Sequence, residues 1–215
     1  MREPMEDSLD LPLRDVLEHM QKRMMHHSSY FGVQAWKCPT DFWMYQEILF
    51  ETRPDVIIEI GCNRGGGTLA LHHLCQNLGH GRVIGIDISL EKIAPAVAAV
   101  DGIHFIESDA SQCFDEVRDL IGEDERVMVI EDSEHTYATT LSLLRQYSAL
   151  IKPGDYFIVE DSICDHGLVI PNGPRPGPYE AIEAFIAENP DFVIDRERER
   201  FLITWNPKGY LQRVR

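Results

Sequence analysis

The stretch that decides the fold is Val56–Leu71, which reads VIIEIGCNRGGGTLAL. β-Branched residues lead into Glu59, a glycine follows at position 61, and glycines at 65–67 precede an apolar helical run. Glycine allows a sharp turn or a close approach to a ligand because it has no Cβ. The free N–H groups at the helix start would face the same turn. The stretch therefore predicts a strand, a turn and a helix, either as an ordinary β–α turn or as a binding turn for a nucleotide-like cofactor.

A second strand, Arg82–Ser89 (RVIGIDIS), places Asp87 twenty residues after Gly67. A carboxylate at this tip can accept hydrogen bonds from both ribose hydroxyls of an adenosine. The turn departs from GxGxxG because Asn63 stands where a pyrophosphate needs close backbone approach. S-adenosylmethionine has no phosphate, so this departure favours it over NAD.

Composition limits the function further. The 215 residues carry a net charge of −16, with 44% hydrophobic and 26% charged residues, as in a globular protein. Such a field repels phosphate backbones, so we expect no nucleic-acid partner. The five cysteines form no CxxC pair, which favours a reducing cytoplasm over a zinc site or disulfides. The N-terminus has no apolar signal segment, and no apolar run is long enough for a membrane span.

Strands and helices alternate along most of the chain, which predicts an α/β fold with a mostly parallel sheet, helices on both faces and an antiparallel C-terminal hairpin. The predicted strands are Val56–Ile60, Val83–Asp87, Ile103–Glu107, Val127–Glu131, Tyr156–Glu160, Phe192–Arg196 and Arg200–Trp205. The predicted helices are Pro12–His27, Thr40–Thr52 (capped by Thr40 or Asp41), Thr68–Leu78, Leu90–Val100, Cys113–Ile121, Tyr137–Leu150 and Tyr179–Glu188.

The N-terminal part differs from this alternation. Residues 1–39 are expected to form an N-terminal helix and an aromatic segment, and residues 40–215 a single domain. Segment Ser28–Pro39 carries Tyr30, Phe31 and Trp36, which favours either a lid over the cofactor or a packed connector. The amphipathic helix before the domain makes a homo-oligomer plausible.

Acidic residues follow every parallel strand, at the edge where such sheets bind ligands. Charges crowded there need cationic partners or ligands. Asp109 could bond an adenine amino group or cap a turn with Ser111. Asp132, Glu160 and Asp161 follow two strands that we expect to be neighbours. They could form an oxygen site for Mg²⁺ or Mn²⁺, or could merely cap loops.

Two histidines lie close to these acids in the sequence. His135 comes three residues after Asp132, and His166 comes five after Asp161. Either could take a proton from an acceptor hydroxyl, and either could equally be a surface residue. The Gly- and Pro-rich loop Asp161–Pro178 is expected to form the wall of the substrate site.

The chain resembles the cephalosporin hydroxylase-like and rhamnosyl O-methyltransferase family of class I S-adenosylmethionine-dependent methyltransferases. The matching segments run in order over roughly residues 30–211: WKCPTDFWMYQEI (36–48), DVIIEIGCNRGGGTLAL (55–71), GRVIGIDIS (81–89), VMVIEDSEHT (127–136), LIKPGDYFIVEDS (150–162), GPYEAIEAFI (177–186) and FLITWNPKGYL (201–211). The resemblance implies a Rossmann-like seven-stranded sheet and a methyl transfer to a small molecule.

The resemblance also implies the site residues. The expected cofactor-binding set is Glu59, Gly61, Asn63, Gly65, Gly66, Asp87, Ile88, Asp109, Ala110 and Asp132, and the expected metal ligands are Asp132, Glu160 and Asp161. Related macrolide-sugar enzymes place a histidine base shortly after the acidic pair, which points to His166, whereas His135 matches a family histidine of open role.

The expected reaction is metal-dependent O-methylation of a sugar or natural-product hydroxyl. The alternatives are N- or C-methylation, an NAD-dependent oxidoreductase, and a non-catalytic S-adenosylmethionine-binding protein.

Overall fold

The N-terminal elements come first along the chain. A computed structural model describes residues 6, 9–164 and 176–215, with only the backbone at position 26. Helix α1 (Leu13–His27) leads into a small hairpin of β1 (Ser29–Tyr30) and β2 (Val33–Gln34), which is followed by α2 (Pro39–Thr52). Arg53, in the left-handed conformation with φ +47°, ends α2, and Pro54 separates it from the sheet.

Strands and helices then alternate as the sequence predicts. The elements are β3 (Val56–Ile60), α3 (Gly66–Leu78), β4 (Arg82–Asp87), α4 (Pro95–Ala98), β5 (Ile103–Glu107), α5 (Phe114–Asp119), β6 (Val127–Glu131), α6 (Tyr137–Tyr147), β7 (Tyr156–Val159), α7 (Pro178–Glu188), β8 (Phe192–Ile194) and β9 (Tyr210–Arg213). Short 3₁₀ turns cover Leu90–Lys92, Ser148–Leu150 and Arg196–Glu199.

The main sheet has seven strands in the order β5-β4-β3-β6-β7-β9-β8. Strands β5, β4, β3, β6 and β7 run parallel to one another, whereas β9 pairs antiparallel with both β7 and β8. The predicted fold class is therefore confirmed: a Rossmann-like, mostly parallel sheet with an antiparallel C-terminal hairpin strand. Because β3 lies between β4 and β6, the carboxyl ends of these three strands meet at one edge.

Alternate residues of the central strands fill two different cores. Every residue of β3 is buried, with Ile58 packing in the cluster that contains α6 and α7 and Ile57 in the cluster that contains α2 and α3. This burial on both sides explains why the strands read as continuous apolar runs rather than as alternating patterns.

Two predicted elements are wrong in position. The last strand is Tyr210–Arg213, not Arg200–Trp205. Within residues 203–205, Ile203 and Trp205 instead pack on Leu17, Met24 and Ile163 in a third apolar cluster. Their burial in this cluster explains why they are apolar. The predicted helix Leu90–Val100 is a 3₁₀ turn followed by a single turn of α-helix, because Pro95 cannot donate a backbone hydrogen bond.

Smaller differences concern helix ends. Helix α2 begins at Pro39, and the side chain of Asp41, predicted as a possible cap, points into the protein interior, where it is 3% exposed. Ser89 caps the 3₁₀ turn Leu90–Lys92, since its Oγ accepts from the Glu91 N–H. Within the described ranges, no helix is both long and apolar enough to cross a bilayer.

Candidate active site

A cavity of about 740 Å³ opens at the shared edge of β3, β4 and β6. It extends from the glycine turn after β3, past the tip of β4, to the acidic residues after β6 and β7. The predicted site residues that line it are Glu59, Gly61, Asn63, Gly66, Asp87, Ile88, Asp109, Ala110, Asp132, His135 and Asp161. Gly65 and Glu160 are described but lie outside the lining.

The glycines have distinct tasks in the turn. Gly61 has φ +94°, and a Cβ there would overlap the backbone carbonyl of Asp132. Gly65, with φ +82°, precedes α3. A side chain at Gly66 or Gly67 would overlap residues 34–37, which pass directly over the helix start. The turn is therefore glycine-rich because two other chain segments approach it closely.

The N-terminal segment forms one wall of the cavity through residues 34–37. Tyr30 is anchored outside the cavity, where its hydroxyl lies 3.1 Å from His73 Nδ1 and its ring packs near Phe42. Phe31 is 82% exposed. Residues 34–37 thus line the predicted cofactor site, and the role of the segment as a lid stays a prediction.

Asp87 braces the glycine turn. Its Oδ2 accepts hydrogen bonds from the backbone N–H groups of Cys62 (2.9 Å) and Asn63 (2.8 Å), and its Oδ1 accepts from the Ser89 N–H at 3.2 Å. A carboxylate has about four acceptor positions, so these bonds leave capacity for a ligand. The bond from Asp87 to a ribose hydroxyl stays a prediction.

The residues that follow β4 and β5 contribute Ile88, Asp109 and Ala110 to the cavity lining. Ile88 is 77% exposed, and Ala110 is buried. Asp109 Oδ1 accepts from both the backbone N–H and the hydroxyl of Ser111, each at 2.8 Å, which is the turn-capping arrangement considered above. These bonds do not use the other oxygen, Oδ2. A hydrogen bond from an adenine amino group to Asp109 therefore stays a prediction.

Lys37 supplies the cation that the crowded carboxylates require. Its Nζ lies 2.7 Å from Asp132 Oδ2, 2.7 Å from Glu160 Oε1 and 3.0 Å from Glu59 Oε1. Burial alone would lower the pKa of Lys37, but the three carboxylates hold it well above its usual value. The side chain therefore stays charged and connects the N-terminal segment to the ends of β3, β6 and β7.

Asp132, His135 and Asp161 converge on one point. One donor atom from each lies within 4.8 Å of the other two. His135 Nε2 is 3.4 Å from Asp161 Oδ2 and 3.9 Å from Asp132 Oδ1. His135 Nδ1 is buried without a hydrogen-bond partner among the described residues. Two carboxylates offer the oxygen ligands that Mg²⁺ and Mn²⁺ prefer, and His135 Nε2 lies beside them as a proton acceptor.

Burial dominates the electrostatics of this cluster. It raises the pKa of Asp132, Asp161 and Glu160 above the ordinary carboxyl range, because the charged form loses hydration. Burial also opposes protonation of His135, but the carboxylates of Asp161 and Asp132 outweigh it and raise its pKa. The cluster consequently binds protons readily when no metal is bound.

The predicted metal ligands are only partly gathered by the structure. Asp132 and Asp161 belong to the convergent set and Glu160 does not, although Asp132 and Glu160 both contact Lys37. The ligand role of Glu160 stays a prediction, as does the base role of His166, which lies outside the described residues. Lys37 was not singled out from the sequence, although the excess of acids at this edge called for a cation and Lys37 lies in the WKCPTDFWMYQEI motif.

Comparison with known proteins identifies the family of the chain. The model of the family Rhamnosyl O-methyltransferase/CmcI matches residues 22–214. A rhamnosyl O-methyltransferase of Mycobacterium leprae (strain TN) is 35% identical over 192 residues, covering 86% of this chain and 83% of the relative.

CmcI and MycE are among the solved structures that share the fold. CmcI with Mg and SAM aligns with a TM-score of 0.69 at 23% identity, covering 87% of this chain and 77% of that one. MycE from the mycinamycin biosynthetic pathway, in complex with Mg, SAH and mycinamycin VI, aligns with a TM-score of 0.51 at 19% identity, covering 79% and 44%. At these identities the likeness shows the fold alone, whereas the family model and the mycobacterial relative confirm the resemblance carried by the sequence motifs. The chain belongs to the rhamnosyl O-methyltransferase/CmcI family of S-adenosylmethionine-dependent methyltransferases.

Proposed function

We propose that the protein transfers a methyl group from S-adenosylmethionine to a hydroxyl of a small sugar-type or natural-product-type molecule, with Mg²⁺ or Mn²⁺ as a second cofactor. The observation that carries this proposal is the single cavity that joins the glycine turn to the cluster of Asp132, His135 and Asp161. The mycobacterial relative named for rhamnosyl O-methylation and the Mg-containing structures of CmcI and MycE support it.

The two cofactors divide the cavity. The turn Glu59–Gly67 and Asp87 would hold S-adenosylmethionine, with Ile88, Asp109 and Ala110 around its adenine. Asp132 and Asp161 would hold the cation, with Glu160 as the third predicted ligand. A bound divalent cation would lower the pKa of an acceptor hydroxyl beside it.

His135 is the described group best placed to take the acceptor proton. Its Nε2 faces the same space as the two carboxylates, and those carboxylates stabilise the imidazolium that forms. When bound, S-adenosylmethionine would supply a methyl group on its sulfonium. The acceptor oxygen would take this methyl as its proton passes to His135, and S-adenosylhomocysteine would leave. His166 is the alternative base.

Calorimetric titration tests the cofactor assignment. We expect micromolar binding of S-adenosylhomocysteine and no binding of NAD, whereas the reverse result would identify an oxidoreductase. Asp132→Asn should abolish the response to Mg²⁺ and should abolish methyl transfer once an acceptor is found. Full activity of this variant in chelator would overturn the metal requirement. NMR of the methylated product distinguishes O- from N- or C-methylation.

Location and assembly belong to the same proposal. The five cysteines, all within the described ranges, are buried and form no disulfide, which supports a reducing cytoplasmic environment. A homo-oligomer would form through the N-terminal segment, where the exposed Phe31 and Leu13 lie. Light scattering during gel filtration tests this, and a monomeric mass at micromolar concentration would contradict it.

A further inference from the structure

We infer that Asn206 is a positioning residue that fixes the backbone at Asp161 and thereby sets the affinity of the metal site. The inference rests on the proposed function, because it assigns a role toward the same cation. Asn206 lies in FLITWNPKGYL (201–211), one of the segments that resemble the family. Neither cofactor binding nor metal ligation has been assigned to this segment.

Asp161 has a backbone that needs support. Its φ is +53°, in the left-handed region that L-residues other than glycine adopt at a cost of about 1–2 kcal/mol. His135 shares this feature with φ +56°, so two of the three convergent donors are strained. Such residues persist where the surrounding structure over-determines them, and they cluster at functional sites.

Asn206 provides that support directly. Its Oδ1 accepts a hydrogen bond from the Asp161 N–H at 3.0 Å, and the residue is only 1% exposed. The amide is held in turn, since Nδ2 donates to the Tyr45 hydroxyl at 2.9 Å and the Asn206 N–H donates to Thr204 Oγ1 at 3.0 Å. With both ends of the amide engaged in the interior, its oxygen has one direction in which to point.

Flanking bonds extend the contact into a clamp, which we define as residues 205–209 lying along residues 159–163. The Ile163 N–H donates to the Trp205 carbonyl at 3.0 Å, and Ser162 Oγ donates to the Pro207 carbonyl at 2.7 Å. Gly209 packs so tightly that a Cβ would overlap the Val159 carbonyl. The turn that carries Asp161 is therefore held along its length.

The clamp is fixed to helix α2 by Asp41. This buried carboxylate accepts from Thr204 Oγ1 (2.5 Å), the Trp205 N–H (2.8 Å) and the Tyr210 hydroxyl (2.9 Å). Helix α2, the clamp and the Asp161 turn thus form one hydrogen-bonded unit. Buried networks of this kind orient metal ligands, and their loss typically weakens metal binding by about 10–100-fold.

The test compares Asn206→Leu with Tyr45→Phe. Asn206→Leu removes the acceptor for the Asp161 N–H at similar volume, whereas Tyr45→Phe removes a neighbouring bond of the same network and leaves that acceptor in place. Mn²⁺ binding is measured by electron paramagnetic resonance, S-adenosylhomocysteine binding by calorimetry, and folding by thermal melting. We expect about tenfold weaker Mn²⁺ binding for Asn206→Leu. S-adenosylhomocysteine affinity should be retained, and Tyr45→Phe should weaken Mn²⁺ binding by a smaller factor than Asn206→Leu, because it frees only one end of the amide.

Ser162→Ala keeps the inference testable if Asn206→Leu does not fold. It removes one flanking bond of the clamp and should weaken Mn²⁺ binding by a smaller factor, without a change in S-adenosylhomocysteine affinity. Wild-type Mn²⁺ affinity in Asn206→Leu overturns this inference but leaves the proposed function standing. If Asn206→Leu cannot be folded, wild-type Mn²⁺ affinity in Ser162→Ala has the same consequence. An equal loss of both ligands, or an equal effect of Tyr45→Phe, also overturns it. Failure of the wild type itself to bind Mn²⁺ overturns the proposed metal requirement as well.

Discussion

At the scale of single residues, Lys37 decides how the buried acids coexist. Removing one partner of a buried ionic group costs about 3–5 kcal/mol, because the remaining charges are left unpaired. We predict that Lys37→Met loses about 3 kcal/mol of unfolding free energy in chelator and that Mg²⁺ restores part of the loss, since the cation replaces the missing positive charge. Urea unfolding with and without Mg²⁺ measures this. Lys37→Arg, which keeps the charge, is the control, and equal Mg²⁺ effects in Lys37→Met and wild type would contradict the prediction.

Gly61 and Gly79 separate two effects of a side chain on a left-handed glycine. Both have positive φ, +94° and +63°, but a Cβ at Gly61 would overlap the Asp132 carbonyl whereas a Cβ at Gly79 meets nothing within 4 Å. We predict that Gly79→Ala costs about 1 kcal/mol through backbone strain alone. Gly61→Ala should cost more and should weaken S-adenosylhomocysteine binding at least about tenfold, because the turn must move. Calorimetry and urea unfolding measure both, and indistinguishable variants would refute this reading of the turn.

At the scale of elements, helix α1 is held by one face. Leu17 is 4% exposed and packs with Met24, Cys38, Ile163 and Trp205, whereas Leu13 on the same helix is 47% exposed. We predict a loss of about 2 kcal/mol for Leu17→Ala and less than about 0.5 kcal/mol for Leu13→Ala. Hydrogen exchange of the α1 amides should accelerate in the first variant only. Equal effects would mean that α1 does not dock as the structure describes.

Periodicity predicted the elements well where burial alone produces the pattern. Strands β3, β6 and β7 are buried along their whole length, so continuous apolar runs located them to within a residue or two, whereas the edge strand β5 is only partly buried. Arg200–Trp205 carries a similar apolar pattern, but Ile203 and Trp205 pack on α1 and the Asp161 turn instead of a sheet neighbour, and Phe201 and Leu202 are exposed. Nothing local in the sequence separates these two causes of burial.

The site was predictable to the extent that strand ends define it. Asp132 and Asp161 were placed together from the order of strands and acids, and the structure brings them within reach of His135. The roles of Lys37 and Asn206 depend on contacts across 123 and 45 residues of sequence, which spacing cannot reveal. The charge balance of the sequence requires a cationic group near the acids, and only the fold shows that this group is Lys37.

At the scale of the whole molecule, the excess of acid makes stability depend on pH. The chain has 36 acidic and 20 basic residues, and the buried cluster adds carboxyls whose pKa burial raises. A carboxyl with a raised pKa binds its proton more tightly in the folded state, so its contribution is lost as pH rises above the ordinary value of about 4. His135, with a raised pKa, acts in the same direction above about 6.5. Arg82 lowers the pKa of Glu125 to about 2, which matters only in acid.

We therefore predict that the protein in chelator melts at progressively lower temperature from pH 6.5 to 8.5, by roughly 2–4 °C for each kcal/mol lost. Burial lowers the pKa of His72, which opposes this trend only below the start of that range. Saturating Mg²⁺ should flatten the dependence, because the metal binds the deprotonated carboxylates and replaces the protons they would otherwise hold. Scanning calorimetry at matched ionic strength measures both series, with Glu160→Gln as a variant that lacks the carboxyl whose pKa burial raises to about 8 and should show a shallower slope in chelator. A melting temperature that rises with pH in chelator would show that the cluster is already neutralised by groups other than protons, and the electrostatic account of the site would then fail.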